Sequence, residues 1–190
     1  ADDQLRALCL NPEEHGGRFR RIVLFAAALH DLGKANDHFQ GMITGRRDVR
    51  VGPQGLRHEW VTLLMMWQLR DWLVPALGSE LDFAIAEWSI AGHHPAPNHD
   101  SPPRENPAGS GPEIKLLMGH EDFQAVLLSL QGWFGLPISP SCQNVLREFG
   151  GNGGVFGDIA RWWRNSQRTW ECLKPAERRF VAAVKNCLIA

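Results

Sequence analysis

Three short motifs carry residue types that bind divalent metals: His30-Asp31 within HDLGK, His58 within RHE, and His93-His94 within GHH. Imidazole nitrogen and carboxylate oxygen are the usual protein ligands for first-row divalent ions. An adjacent His-Asp pair lets one turn supply both, and a carboxylate has two oxygens with which to bridge two ions. Two ions about 3.5–4 Å apart can activate a water and stabilise the leaving oxygen of a phosphodiester. Lys34 adds positive charge where negative charge develops on the phosphoryl oxygens. Singly, each motif has an ordinary reading: an HD dipeptide is common, a histidine at a helix end caps it, and His58 suits a helix start at the surface. Their order and their placement on element ends carry the metal-site reading.

The elements that must position them are helices. The apolar run 22–29 predicts a buried helix, burying all its sides, that feeds straight into His30 and Asp31. A short helix over 35–43 follows, then a polar loop over 45–55. A long helix from about residue 56 carries Trp60, Val61, Leu64, Met65 and Trp67 on more than one face, which predicts burial on two sides. Ser79 is placed to cap a helix over 80–91, with Asp82 at the capping-box position. Further helices are predicted over 121–133, 142–149 and 155–170, and Pro175 opens a last one. No stretch alternates with a period of two for long enough to predict a strand. The expected fold class is all-α, a helical bundle with ligands at helix ends. Six of the twelve prolines fall in 95–112, which predicts a mobile loop leaving directly from His93-His94 and bordering the site as a lid.

Composition bounds the partners. The chain has 190 residues, 44% of them hydrophobic, and a formal net charge of −1. It is long enough for one well-cored domain. A uniformly basic surface is excluded, so nucleic acid must be met by local patches. Cys9, Cys142, Cys172 and Cys187 form no CxxC pair, which points to free thiols in a reducing compartment. No membrane span or signal peptide is evident, and the expected location is cytoplasmic. No GxxxxGK[ST] loop occurs, so a helicase motor is not encoded in these residues.

HDLGKANDHFQ, RHEWVT and AGHHP together resemble the HD nuclease domain of the CRISPR type I interference nuclease-helicase. The broader HD superfamily shares the HD pair and the later histidines; Phe39-Gln40 and the RHE segment are similar to the CRISPR branch. The resemblance covers residues 22–95. It implies two divalent transition metals (Mn, Fe, Ni or Co), with His30 on one ion, Asp31 bridging, and His58, His93 and His94 on the second. Lys34 matches the motif lysine near the scissile phosphate. It further implies single-stranded DNA as substrate, the CRISPR surveillance complex as partner, and a helicase motor, fused or separate.

Two ligands of that family lack obvious counterparts. For the upstream histidine the candidate is His15, in the polar PEEHGG segment read as a turn before the buried helix. For the last aspartate there is none after residue 175. The expectation is a chain cut short at both ends that binds metal incompletely, a degenerate site being the alternative. Arg46, Arg47, Arg50 and Arg57 are the candidate DNA-guiding cations; a solvated loop is their ordinary reading. His99-Asp100 is read as incidental. Two other functions remain open: an HD phosphohydrolase acting on nucleotides or cyclic nucleotides, and a catalytically silent docking module.

Overall fold

A computed structural model describes residues 2–46, 56–93, 113–150 and 153–188. The helices are α1 (Asp2–Ala7), α2 (Pro12–Leu29), α3 (Asp37–Ile43), α4 (His58–Gln68), α5 (Arg70–Leu73), α6 (Glu80–Ala91), α7 (Glu121–Phe134), α8 (Val155–Cys172) and α9 (Pro175–Leu188). Single 3₁₀ turns lie at Leu32–Lys34 and Val74–Ala76. The class is all-α, with one small exception. Strands β1 (Glu113–Leu116) and β2 (Val145–Glu148) pair antiparallel, Glu113 opposite Glu148 and Leu116 opposite Val145. Four residues are too few for alternation to stand out, although β1 buries Ile114 and Leu116 and exposes the residues between. The helix expected over 142–149 is therefore this second strand.

The first helix of the core begins earlier than the sequence pattern suggested. Asn11 caps α2, its Oδ1 accepting from Glu13 N–H at 3.0 Å, with Pro12 in the first turn. Proline there loses only an N–H that has no helical partner. PEEHGG thus lies inside the helix, and its two glycines do not break it. α2 is also one-sided. Phe19, Ile22, Phe25, Ala26 and Leu29 are buried, whereas Leu24 is 63% exposed. That spacing is the i, i+3, i+4, i+7 stripe of an amphipathic helix, not burial on all sides.

α4 is the central element. Every residue from His58 to Met66 is buried. It packs against α6 and against the 3₁₀ turn Leu32–Lys34, while α6 also packs on α2 and α9. Ser79 caps α6 as expected, its Oγ accepting from Asp82 N–H at 3.1 Å. Asp82 turns its own carboxylate to Arg18 of α2, at 2.5 Å, and so ties the two helices together. The core closes around Phe25, which meets Phe83 of α6 and Phe134 of α7.

A buried carboxylate joins three helices away from the motifs. Glu87 of α6 is 4% exposed. Its oxygens accept from the indole N–H of Trp67 at 2.8 Å and of Trp162 at 2.9 Å. Burial pushes its carboxyl up from the ordinary glutamate range; the two indole bonds and Arg70 oppose this without cancelling it. Glu87→Gln should cost about 1–3 kcal/mol, because the new amide NH2 meets an indole N–H. The pH dependence has a definite sign. A raised folded value means that the folded protein holds its proton more tightly, so stability falls as pH rises from the ordinary glutamate value through the raised one. The glutamine variant lacks that fall, so its deficit in Tm should shrink with rising pH. Parallel Tm-against-pH curves would refute this account of Glu87.

The four cysteines are free thiols. Among the described residues no helix is long and apolar enough to cross a membrane.

Candidate metal centre

The chain ends that carry the motifs converge. His30 is the C-cap of α2, and Asp31 leads into the 3₁₀ turn. His58 is the first residue of α4, and His93 lies two residues beyond α6. Among the described residues, His30, Asp31 and His93 offer ligand atoms that all lie within 4.8 Å of one another. His58 joins them, its Nε2 standing 3.4 Å from Asp31 Oδ1. The imidazole of His93 approaches both of the others, with ring centroids 5.1 Å from His30 and 5.4 Å from His58.

The rings are held for this arrangement. His30 Nδ1 lies 2.7 Å from the Ala27 carbonyl, and His93 Nδ1 lies 2.6 Å from the Ile90 carbonyl. A carbonyl only accepts, so both Nδ1 atoms carry the proton and Nε2 keeps the lone pair. A backbone partner on one nitrogen fixes the tautomer that presents the other to a metal. Behind His58, the carboxylate of Glu59 lies 3.6 Å from Nδ1 and is itself paired with Arg57. Glu59 is 1% exposed, so its charge acts on the ring with little water between.

The Asp31 carboxylate is divided. Oδ1 faces His58, while Oδ2 lies 3.4 Å from His30 Nε2 and 2.8 Å from Lys34 Nζ. Burial alone would raise its pKa. The hydrogen bond from Lys34 and the charges of His30, Lys34 and His58 together outweigh burial and hold it below the ordinary aspartate value. His58 and His93 are buried, whereas the side chains of His30, Asp31 and Lys34 are about 35–43% exposed. The centre therefore has a closed back and an open mouth. Three imidazoles and one ionised carboxylate fit a divalent first-row transition metal.

Two residues that the motif reading passed over build the centre. Thr62 Oγ1 accepts from Gly33 N–H at 2.8 Å, and its hydroxyl donates to the His30 carbonyl at 3.0 Å. One threonine thus clamps the HD turn onto α4, one helical turn after His58. The clamp needs Gly33: a Cβ there would come within 1.9 Å of the His58 carbonyl oxygen. Asn36 completes the turn, donating to the Gly33 carbonyl at 2.5 Å and accepting from Phe39 N–H at 2.9 Å as the cap of α3. The signal that could have pointed to Thr62 is its place four residues after His58 in RHEWVT, on the same helix face.

Other candidates fall elsewhere. His15 sits near the start of α2, fifteen residues before His30. At 1.5 Å per residue the two are separated by about 22 Å of helix axis. His15 meets Phe180 instead, at 5.8 Å between ring centroids, and is not a ligand of this centre. Arg57 is engaged by Glu59. Arg46 lies just past α3, next to Gly45, whose positive φ lets the chain turn back so that Arg46 N–H reaches the Gly41 carbonyl. His94, Arg47, Arg50, the loop 95–112 and His99-Asp100 within it lie outside the described residues.

Residues 2–146 match the family described as Cas3, HD domain. The chain belongs to this Cas3 HD-domain family. It is also 41% identical, over 113 residues, to a Myxococcus xanthus (strain DK1622) protein named as a CRISPR-associated nuclease/helicase Cas3. That match covers 58% of this chain and 14% of the relative. No solved structure matches. The Cas3 HD family accounts for the motif order, and the convergence of three motifs on one carboxylate gives that order its physical meaning.

Proposed function

We propose that this chain is a divalent-metal-dependent nuclease that cuts single-stranded DNA in CRISPR type I interference. One observation carries the reading: the two oxygens of Asp31 face different histidines, each at 3.4 Å. A carboxylate divided in this way suits a bridge between two ions. In this reading His30, Asp31, His58, His93 and His94 are the metal ligands, and Asp31 and Lys34 are the catalytic pair. Bound cations supply the Lewis-acid charge that activates water and stabilises the leaving oxygen. Lys34 has a second task. Its ammonium now occupies Oδ2, on the His30 side. With a cation held at Asp31, the Lys34 ammonium would be free to turn toward the open mouth, where a phosphate would lie. The family resemblance assigns His58, His93 and His94 to one ion together with Asp31, and that fuller ligand set would hold its ion more firmly. The same assignment leaves His30 and Asp31 for the other ion, where Lys34 competes for the Asp31 carboxylate. Arg46, Arg47, Arg50 and Arg57 are proposed to guide the DNA backbone. A helicase motor, suggested by the name of the relative, and the surveillance complex, implied by the family resemblance, are the proposed partners.

The test is a metal titration followed by a substrate panel. We expect one ion held tightly and a second held weakly, with cleavage of single-stranded DNA and none of nucleoside triphosphates or cyclic dinucleotides. Hydrolysis confined to nucleotides would move the assignment to another HD phosphohydrolase. Neither metal binding nor hydrolysis would leave a docking role.

A further inference from the structure

We propose that the cleft between α3 and the turn leading into α7 is a nucleobase subsite, which takes the base of a nucleotide next to the one being cut. The proposal rests on the nuclease reading for its substrate, and on the following geometry for its place and chemistry. The cleft holds about 600 Å³ and includes Gln40, Thr44, Arg46, His120, Asp122 and Phe123 in its lining. That size suits a small organic ligand.

Its place follows from Lys34. The ammonium of Lys34 contacts Asp31, while its carbonyl accepts from Gln40 Nε2 at 3.0 Å, and Gln40 lines the cleft. The next residue, Ala35, also lines the cleft, and its carbonyl accepts from Leu117 N–H at 2.9 Å. One turn of chain thus has the metal centre on one side and the cleft on the other. A strand with its scissile phosphate at the centre can place a neighbouring base there.

The far wall is rigid. His120 caps α7, its Nδ1 accepting from Asp122 N–H at 3.3 Å. This orients the ring, and the Asp122 carboxylate stands 3.5 Å from the same nitrogen. Just before it, Gly119 N–H donates to Asn144 Oδ1 at 2.9 Å, and the Gln124 side chain donates to the Met118 carbonyl at 2.8 Å. The His120 side chain is nevertheless 57% exposed, so its ring stands at the open rim of a cleft that the buried Phe123 also lines. An exposed aromatic ring at the rim of a partly apolar cleft is a surface on which a single-strand base can stack. The polar wall is rich in acceptors. Gln40 commits one of its two amide N–H groups and presents its Oε1, and the acceptor-only Asp122 carboxylate is 90% exposed. Such a wall favours a base with an exocyclic amino group, cytosine or adenine, over thymine. Arg46, at the αL end of α3, lies where the phosphate of that nucleotide would follow.

His120→Asn tests the stack while keeping a good helix cap. On the 190-residue chain, KM for single-stranded DNA should rise roughly tenfold, the scale of one base–aromatic stack, with metal stoichiometry unchanged. An abasic position next to the cut should produce the same rise in the wild type and no further rise in the variant. Sequenced cleavage ends should favour cytosine or adenine at that one position, and His120→Asn should flatten the preference. Binding of a fluorescent single strand in the presence of a chelator should show the same weakening. That arm separates the two readings. If binding responds to His120→Asn but no metal supports cleavage, the nuclease assignment fails and the subsite stands. If cleavage proceeds and neither His120→Asn nor the abasic position changes KM, binding or base preference, the subsite is overturned.

Discussion

Asp31→Ala should leave a folded protein that neither retains a divalent metal nor cuts DNA. The fold persists because the side chain is 43% exposed and belongs to no core cluster. Its pair with Lys34 is a partly exposed ion pair, of a kind that contributes little to stability once solvent screening is counted. Its place in the centre is another matter. It supplies the carboxylate of the cluster that it forms with His30 and His93, and both of its oxygens are engaged. Loss of a residue that merely supports a metal ligand costs about 10–100-fold in affinity or activity. Loss of the bridging ligand should exceed that range. Lys34→Ala supplies the contrast. It frees Oδ2, so metal affinity should hold or rise while turnover falls, because the proposed partner of the ammonium is the phosphate. Circular dichroism, metal content and cleavage rate on both variants decide the matter. Undiminished cleavage by Asp31→Ala would refute the centre. Equal loss of metal in both variants would refute the separate roles.

How far the sequence led can be argued from particular residues. The helix capped by Ser79 and the last helix opened by Pro175 were legible because cap chemistry is local. The start of α2 was misread because Gly16-Gly17 looked like a turn. The Asn11 cap, Pro12 and the acidic first turn outweigh two glycines in a helix that gains a buried stripe from Phe19 onward. β2 was read as a helix since apolar spacing over eight residues suits either state. Only its pairing with β1, about thirty residues earlier, decides it. Within the centre, the residue types and their order were legible, and so was their location at helix ends. The clamp was not. Nothing in a sequence pattern says that Gly33 must touch the backbone of residue 58, or that the Thr62 hydroxyl serves two main-chain groups at once.

That clamp yields the largest expected effect on stability. A Cβ at Gly33 would lie 1.9 Å from the His58 carbonyl oxygen and 2.5 Å from the Thr62 nitrogen. Both are backbone atoms of the buried central helix, so neither can move aside as a flexible side chain would. The HD turn must lift off α4 instead. Lifting breaks the Gly33 N–H bond to Thr62 and draws Asp31 away from His58. Gly33→Ala should therefore cost about 3 kcal/mol or more, the upper end for overpacking, and should lose metal binding with it. Thr62→Val tests the hydrogen bonds without added bulk. It leaves the buried Gly33 N–H and the part-buried His30 carbonyl without this partner, at about 1–3 kcal/mol for the buried N–H. Thr62→Ser keeps the hydroxyl and should lie close to the wild type. Gly17→Ala is the control for helix propensity: nothing lies within 4 Å of its added Cβ, and the residue sits in α2. It should stabilise by about 0.5–1 kcal/mol. Chemical denaturation and metal titration on the four variants give the order. If Gly33→Ala proves as harmless as Gly17→Ala, the contact between the HD turn and α4 does not position Asp31, and its approach to His58 needs another cause.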